Sequence, residues 1–545
     1  MTKKTSVTQS IRAGSLLIIT AMVTFGYHSI RQLAEQCGRS KSSVHRHLKA
    51  YERRNQHPES YFWETEEGGE LLQRIYCAVL YQFGLKHHVG ADQLSEFFRL
   101  IRIDTHVGVS ASALRQQLRD LEQQLAAFQE EQEASAQCPE PERTVAMDET
   151  FFSQMIVLVL MDLPSQYILL EESATDRSYK TWKARACPRL DALGLTVRHA
   201  VSDRAKALVK LALDGFGCQA GADLFHAQYE LSRWLSLPLG RATHTLAEAL
   251  DKSRKALAKH QKKTLRDPQE TRRLEAKVRQ AEQAHQDGLD AQAAYRQHQQ
   301  AISESVHPFD PASGLAQDQA TVLAALQQES EAIEALAEAR LISDRKGHLK
   351  KFRKQREDLS RHVGVWWLWI HTLLADCAPE PEQGDWVAHR MMPVIYWHGR
   401  MEKAKKKEQR LLCQRAWEQA QQRYRDDPRT QQLSDEHIQH WRCWCESKVK
   451  HFQRTSSAVE GRNGCLSQLY HHGRGLTPAR LKALTVIHNY GIRQPDGSTP
   501  ASRLFAQEFP DVFESLLADM KPLPLPRKRR QRKKSNPLIC KACPA

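Results

Sequence analysis

Three acidic residues far apart in the 545-residue chain have neighbours suited to metal-dependent chemistry. Asp148 closes a predicted strand, Asp203 follows another predicted strand, and Glu460 lies in a predicted helix. If the two strands are neighbours in one sheet, both aspartates emerge at the same edge. Three converging carboxylates can hold two divalent ions, and Mg²⁺ suits such a site because it prefers oxygen ligands and keeps exchangeable waters.

The helix around Glu460 places further polar residues on the same face. At a helical spacing, Ser456, Asn463 and Ser467 share that face with Glu460. Two other acids compete for a place in the site, since Glu149 is adjacent to Asp148 and Asp223 lies close to His226. A structural alternative also stays open, because an isolated aspartate at a strand end often serves as a turn or helix cap.

The segments that must position these acids change character after residue 143, where the apolar pattern turns from helical to extended. Short runs rich in Val, Ile and Leu predict three sequential strands in an antiparallel meander, followed by a helix, a fourth strand and another helix. The predicted elements are Thr144–Asp148, Met155–Met161, Tyr167–Leu170, the helix Asp176–Leu193, the strand Thr196–Val201 and the helix Arg204–Asp214.

A long polar stretch with helical periodicity separates the second acid from the third. Leucines recur at helical spacing from Leu246 to Leu257 and again after Pro268, which predicts two long helices packed as a hairpin. More helix is predicted at residues 321–341 and from 350 through Trp366, Trp367 and Trp369. We interpret this tryptophan cluster as packed core rather than as a cofactor site.

The N-terminal region has the pattern of a helix-turn-helix. Ala34, Gly38 and Val44 supply the small residue, the turn glycine and the branched apolar residue that two closely crossing helices require. The second helix is then expected to direct polar side chains toward DNA bases and phosphates; these are Lys41, Ser42, Ser43, His45 and Arg46. The alternative is a solvated helical hairpin. A second helix-turn-helix, with Ser110 or Ser112 capping its last helix, would fit the apolar pattern that follows.

Charge and composition point to a polyanionic partner. The chain has 79 Lys and Arg against 64 Asp and Glu, a net charge of +15. Seven of the eight residues in 527–534 are basic, which predicts a tail disordered until it meets a polyanion. Basic runs at 345–356 and 403–407 are either DNA-tracking surfaces or solvated helix faces, and the sequence does not separate the two.

The chain is expected to be cytoplasmic. Its longest uncharged apolar runs, 15–27 and 155–161, fall short of the roughly 18–20 residues that a membrane-spanning helix needs. The first run is interpreted as a buried helix rather than a secretory signal. Most of the twelve cysteines stand singly, as expected of reduced thiols. The pairs at 443/445 and 540/543 leave structural zinc as an alternative to ordinary thiols.

Several short motifs, taken in order, resemble those of bacterial insertion-sequence transposases with an RNase H-like DDE core. The motifs are Val145–Glu149, Ser202–Arg204, Ala222–His226, Ala458–Asn463, His471–Gly475, His488–Arg493 and Asp496–Phe505. The resemblance covers roughly residues 144–235 and 445–506. This chain departs from compact members in the spacing of Asp203 and Glu460, which are 257 positions apart. A helical insertion at that point is known in the hAT group.

The resemblance implies a function for these residues. Asp148, Asp203 and Glu460 would bind two Mg²⁺ ions, with Mn²⁺ as a substitute, and catalyse phosphodiester hydrolysis at element ends followed by strand transfer. His226 would touch the scissile phosphate or orient a carboxylate, with a structural histidine as the alternative. Arg462 and Asn463 would contact DNA. Partners would be double-stranded DNA of the element ends and target, at the bacterial nucleoid, and a second copy in a dimer or larger oligomer.

The expected fold class is therefore multidomain, with an all-α helix-turn-helix region, an RNase H-like α/β core with a mixed sheet, a large all-α insertion and a disordered basic tail. A non-catalytic DNA-binding regulator or an inactive transposase copy is the alternative function. The predicted boundaries are 1–60 for the helix-turn-helix domain, 61–143 for a helical region with a possible second DNA-binding domain and linker, 144–235 for the first part of the core, 236–443 for the insertion, 444–510 for the last part of the core and 511–545 for the tail.

Overall fold

The computed structural model describes residues 17–22, 24, 26, 29–153, 155–264, 267–378, 380–472 and 475–526. This part of the chain is mostly helical and contains one five-stranded mixed sheet. It divides into two compact units. The terminal unit takes its residues from Met1–Gln137 and Cys465–Ala545, and the central unit is Cys138–Gly464. The basic tail predicted at 527–534 and the cysteines at 540 and 543 lie outside the described residues.

The elements up to residue 222 include all five strands. In chain order they are α1 Ile30–Gln36, α2 Lys41–Arg54, α3 Glu66–Val79, α4 Ala91–Leu100, α5 Ala111–Ser135, β1 Glu142–Phe152, β2 Met155–Asp162, β3 Ile168–Ala174, α6 Tyr179–Ala192, β4 Thr196–Ser202, α7 Lys206–Lys210 and β5 Gln219–Ala222. A 3₁₀ segment lies at Pro58–Glu64, and π-helical segments lie at Leu80–Lys86 and Leu211–Gly215.

The elements after β5 are helical. They are α8 Leu224–Gln261, α9 Pro268–Ser305, α10 Gln319–Ala339, α11 His348–Cys377, α12 Pro381–Trp386, α13 Met392–Lys403, α14 Lys407–Asp426, α15 Pro428–Gln432, α16 Asp435–Val449, α17 Ser457–His471, α18 Pro478–Val486, α19 Pro500–Phe505 and α20 Val512–Ala518. Further π-helical segments lie at Val387–Met391 and Ile487–Gly491.

The sheet has the strand order β3-β2-β1-β4-β5. The first three strands form an antiparallel meander, whereas β4 pairs in parallel with β1 and β5 pairs in parallel with β4. The middle of the sheet is covered on both faces, since consecutive residues of β2 from Val157 to Asp162 are all buried. This explains why the sequence of β2 is a continuous apolar run rather than an alternating one.

The four predicted strands and their meander are confirmed, although β1 extends well past both predicted ends. The sequence missed β5, whose residues Gln219–Ala222 are small or polar and carry little β-propensity. Parallel pairing with β4 holds this strand in place, and such pairing is a tertiary interaction. Helix α8 begins at Leu224, with Asp223 as its cap, and continues through Pro238 across the insertion boundary predicted at residue 236.

The helical hairpin predicted in the insertion is confirmed as α8 and α9. The inner ends of these helices join the buried core of the central unit, together with α10, α11 and α13. Trp366 and Trp367 are buried in that core as predicted. Trp369 is only partly buried, and its ring lies 3.8 Å from the guanidinium carbon of Arg198.

The helix-turn-helix pattern folds as two short helices around a small core. Leu33 and Ala34 of α1 pack with Val44 of α2, and Gly38 between them has a φ of +58°, which favours glycine. Ile18 and Ala21, from the apolar run interpreted as a buried helix, join the same core. Among the described helices, none is both long and apolar enough to cross a membrane.

The second predicted helix cap is also observed, with a difference downstream. The Ser110 side chain caps α5 by accepting a hydrogen bond from the backbone N–H of Ala113 at 3.3 Å. Helix α5 continues to Ser135, so a linker within the predicted region 61–143 is confined to the residues that follow this helix. Its glutamates and glutamines are good helix formers, which outweighs their polarity.

Candidate active site

Strands β1 and β4 bring the first two acids to the same edge of the sheet. The last pair of their parallel ladder is Ala146 with Val201; Asp148 lies two residues further along β1, and Asp203 lies two residues further along the chain, directly after β4 ends at Ser202. This register brings the two backbones side by side at that edge, and the charge of Asp203 acts on the carboxylate of Asp148. The expected juxtaposition of these two aspartates therefore follows from the observed register.

The carboxylate of Asp148 lies in a partly buried and negatively charged environment. Burial, followed by the charges of Glu460 and Asp203, raises its pKa to about 7, and the nearby His226 acts in the opposite direction. The side-chain amide of Asn463 donates a hydrogen bond of 2.6 Å to Oδ2 of Asp148. Burial and the neighbouring negative charges therefore disfavour the ionised form of Asp148, and a positively charged partner would stabilise it.

Helix α17 supplies the third acid. Glu460 and Asn463, three residues apart, face the sheet edge together: Asn463 binds Asp148, and Oε1 of Glu460 lies 3.5 Å from Nε2 of His226. His226 belongs to the first turn of α8, which starts directly after β5. The structure thus gathers Asp148, Asp203, Glu460 and His226 into one electrostatically coupled group.

A buried chain of hydrogen bonds fixes His226. Its Nδ1 lies 2.8 Å from Oδ2 of Asp223, and the hydroxyl of Ser456 donates to the same carboxylate oxygen. Burial alone would lower the pKa of His226, but the hydrogen bond and charge of Asp223, with Glu460 and Asp148, raise it to about 9. His226 is therefore a cation at neutral pH, held beside the carboxylates by Asp223.

The turn after β4 holds Asp203 by local contacts and one distant ion pair. Oδ1 of Asp203 accepts a hydrogen bond of 2.8 Å from the backbone N–H of Ala205. Arg204 between them has a φ of +67°, and its guanidinium is paired with Asp358 of α11. A non-glycine residue in this conformation costs about 1 kcal/mol, so the ion pair offsets strain beside a site residue.

This turn gives a first testable prediction, in which two variants at one position separate strain from anchoring. Arg204→Ala loses the ion pair and keeps the strain, whereas Arg204→Gly loses the ion pair and relieves the strain. We expect both to lower the thermal midpoint, with the glycine variant more stable than the alanine variant by about 0.4–1 kcal/mol. Differential scanning calorimetry measures this order, and an alanine variant at least as stable as the glycine variant would contradict it.

Two residues predicted to contact DNA have partners within the protein. The Arg462 guanidinium is buried and makes two hydrogen bonds, of 2.7 and 2.6 Å, to the carboxylate of Glu171 in β3. Arg462 lies on the opposite side of α17 from Glu460, so it anchors the helix to the sheet instead of facing DNA. Asn463 is nearly buried and is committed to Asp148.

The competing acids have other partners. Glu149 lies on the opposite face of β1, where Arg177 and the indole N–H of Trp182 each donate to it at 3.1 Å. Asp223 is buried, caps α8 through the N–H of Phe225 and binds His226. Neither carboxylate is as available as those of Asp148, Asp203 and Glu460.

The donor set fits a hard divalent cation, although the side chains are not drawn together around one. In the described ranges, no three His, Cys, Asp or Glu side chains are placed closely enough to enclose a metal ion. The set nevertheless consists of carboxylate oxygens that repel one another, and beside them the buried Oδ1 of Asn463 has no hydrogen-bond partner within the described structure. Mutual repulsion and an unsatisfied oxygen are features that a bound cation would relieve.

The predicted DNA-facing residues of the helix-turn-helix lie on one helix. Four of them are exposed on α2: Lys41, Ser42, His45 and Arg46. Ser43 is partly buried, and its backbone N–H donates a hydrogen bond to the Ser40 hydroxyl. The structure leaves this surface accessible. Its binding to DNA stays a prediction.

No local pattern in the sequence predicted Glu171, Arg204 and Asp358 as supports of the site. Their pairings span long stretches of chain, 291 residues in the case of Glu171 and Arg462. One local signal existed for Arg462, since it is two positions from Glu460 and a helix turns each residue by about 100°. That angle places the two side chains on opposite faces.

Comparison with the models of protein families gives a match to part of the chain. The model of a family of unknown function, DUF6399, matches residues 387–532. The matched segment contains Glu460, Arg462 and Asn463 but not Asp148, Asp203 or His226. A search of curated proteins found no match.

Proposed function

We propose that this protein is a DDE-type DNA transposase whose central unit carries an RNase H-like catalytic core. The observation that carries the proposal is the placement of Asp148 and Asp203, each two residues beyond the last paired residues of the parallel strands β1 and β4, with Glu460 and Asn463 facing them from α17. The strand order, an antiparallel meander followed by two parallel strands, is compatible with such a core. The reaction would be phosphodiester hydrolysis at element ends, followed by strand transfer.

In this proposal Asp148, Asp203 and Glu460 would hold Mg²⁺, which when bound activates the attacking oxygen and stabilises the leaving oxygen at phosphorus. Asn463 orients Asp148 through its amide. His226, cationic and fixed by Asp223, orients Glu460 and attracts a phosphate oxygen. The exposed face of α2 would bind element ends, and a dimer would hold two ends together.

A cleavage assay tests the function directly. The substrate is duplex DNA taken from both flanks of the coding region, incubated with the full chain and either Mg²⁺, Mn²⁺ or EDTA. We expect metal-dependent nicking that the double variant Asp148→Asn/Asp203→Asn does not show. Cleavage that survives in the double variant would refute the assignment of these carboxylates, and end-specific binding without any cleavage would favour the regulator or inactive copy.

Metal binding has its own expected signature in stability. Because a ligand that binds only the folded state stabilises it by mass action, about 10 mM Mg²⁺ should stabilise the wild type by about 1–3 kcal/mol relative to EDTA, at pH 8. The effect should be absent from the double variant Asp148→Asn/Asp203→Asn. Thermal unfolding with and without the metal measures it, with Ca²⁺ and Mn²⁺ as further ions. An equal metal shift in the wild type and in the double variant would place the metal elsewhere.

A further inference from the structure

The α8–α9 hairpin extends well beyond the core into which it is rooted. Its last α8 residue in the central core is Leu239, and its first α9 residue there is Ala291. Between these points the two helices pack mainly on each other, as in the bond of 3.1 Å between Nε2 of His260 and the Thr271 hydroxyl. The hairpin therefore projects as a paired-helix arm.

The charge on this arm is strongly uneven. The outer hairpin, defined as residues 251–282, has eleven Lys and Arg against five Asp and Glu. The inner parts of the same two helices, 224–250 and 283–305, have three Lys and Arg against five Asp and Glu. Like charges at helical spacing repel, so clustering basic residues at one end of a hairpin costs stability. A hairpin that only faces solvent has no need of such clustering.

The acids of the outer hairpin neutralise only part of this charge. Ion pairs join Arg254 to Glu282, Lys255 to Asp251 and Arg273 to Glu270. A second set of basic side chains is exposed and makes no ion pair with any described residue. These are Lys252, Lys259, Lys262, Arg272, Lys277 and Arg279.

The arm starts at the candidate active site. His226 is in the first turn of α8, and the helix runs from there to Gln261. At 1.5 Å per residue the basic end lies about 50 Å from His226, a length that corresponds to roughly 15 base pairs of duplex DNA. A duplex that is cut at the site and extends at least about 15 base pairs from the cut can therefore reach the outer hairpin.

We propose that the outer hairpin binds the phosphate backbone of double-stranded DNA at a distance from the cleaved bond. This inference rests on the proposed function, because that function brings duplex DNA to the root of the arm. Electrostatic contact of this kind is independent of sequence, and each neutralised phosphate releases condensed counterions. A second copy of the chain fits less well, since two basic surfaces repel.

Two variants of the full chain test the inference by opposite changes of charge. One replaces four exposed lysines, Lys252→Gln, Lys259→Gln, Lys262→Gln and Lys277→Gln. The matched control replaces Glu270→Gln and Glu275→Gln on the same surface. Binding is measured on a random-sequence duplex of about 40 base pairs over a range of salt concentrations. We expect the lysine variant to lower the slope of log affinity against log salt by about 3–4, and the glutamate variant to bind more tightly than the wild type.

A second measurement locates the contact. On a duplex that the wild type cleaves, phosphate ethylation should interfere with wild-type binding about 10–20 base pairs from the cleaved bond, and the lysine variant should lose this interference. Interference near the cleaved bond should be kept.

The outcomes separate the inference from the proposed function. An unchanged salt slope in the lysine variant, or weaker binding in both variants, would overturn the inference while wild-type cleavage upholds the proposed function. A wild type that binds no duplex DNA would overturn both. Equal thermal midpoints, within about 2 °C, are expected because all the replaced side chains are at least partly exposed.

Discussion

Replacing Asp148 by asparagine should reduce metal-dependent DNA cleavage at least about 1,000-fold. The carboxylate is partly buried, and Glu460, Asp203 and His226 all act on it. In the proposed reaction, the loss of one negative metal ligand would remove several kcal/mol of charge stabilisation. Asparagine keeps the shape of the side chain, and its oxygen can still accept the hydrogen bond from Asn463. A quantitative nicking assay in Mg²⁺ measures the loss.

The same substitution should stabilise the fold in EDTA. The pKa of Asp148 is raised from its ordinary 3.8 to about 7, so the unfolded chain ionises more readily than the folded one. The wild type therefore loses stability as pH rises from about 4 to about 7, and Asp148→Asn removes that loss. The variant should match the wild type below pH 4 and exceed it by up to about 4 kcal/mol above pH 7. Thermal unfolding across this pH range measures the difference.

A matched control is available close by in the chain. Asp214 is half exposed and lies 4.0 Å from Lys210, so Asp214→Asn should change neither cleavage nor the pH profile of stability appreciably. If Asp148→Asn lost activity but were less stable than the wild type at pH 8, the carboxylate would be stabilising the fold, and the account of a repulsive site would be wrong.

Local sequence was enough to predict the acids at the sheet edge. Asp148 and Asp203 each follow an apolar run, and such a run allows a strand to be predicted from its own residues. The same kind of signal predicted the α8–α9 hairpin and the helix-turn-helix core around Val44. These features depend on residues a few positions apart.

The supports of the site could not be predicted in this way. β5 is held by its neighbour rather than by its own residues, and Arg204 meets Asp358 across the insertion. The resemblance implied that Asn463 contacts DNA, and helical spacing placed it on the same face as Glu460. The structure shows Asn463 on that face, but its side-chain amide donates a hydrogen bond to Asp148. Choosing between a DNA contact and a carboxylate contact requires knowing which strand lies opposite, and only tertiary structure supplies that.

The largest loss of stability is expected from the buried pair that anchors α17. Glu171→Gln leaves the Arg462 guanidinium buried opposite a neutral amide, and breaking such a pair costs about 3–5 kcal/mol. Because α17 also carries Glu460 and Asn463, cleavage should fall together with stability. Thermal unfolding and hydrogen exchange of residues 457–464 measure the two consequences of releasing the helix.

Whether the pair stabilises by its charges or by filling space is decided by changing both partners. In Glu171→Leu/Arg462→Met, two apolar side chains replace the pair, no charge is left buried, and much of the lost stability should return. The exposed pair Arg254 and Glu282 serves as the control, since Glu282→Gln should cost less than about 1 kcal/mol. A double variant that recovers stability and cleavage would mean that α17 needs only to be held against β3. Recovery of stability without cleavage would mean that the charged pair also sets the position of Glu460, and a single variant as stable as the wild type would contradict the anchoring role of Arg462.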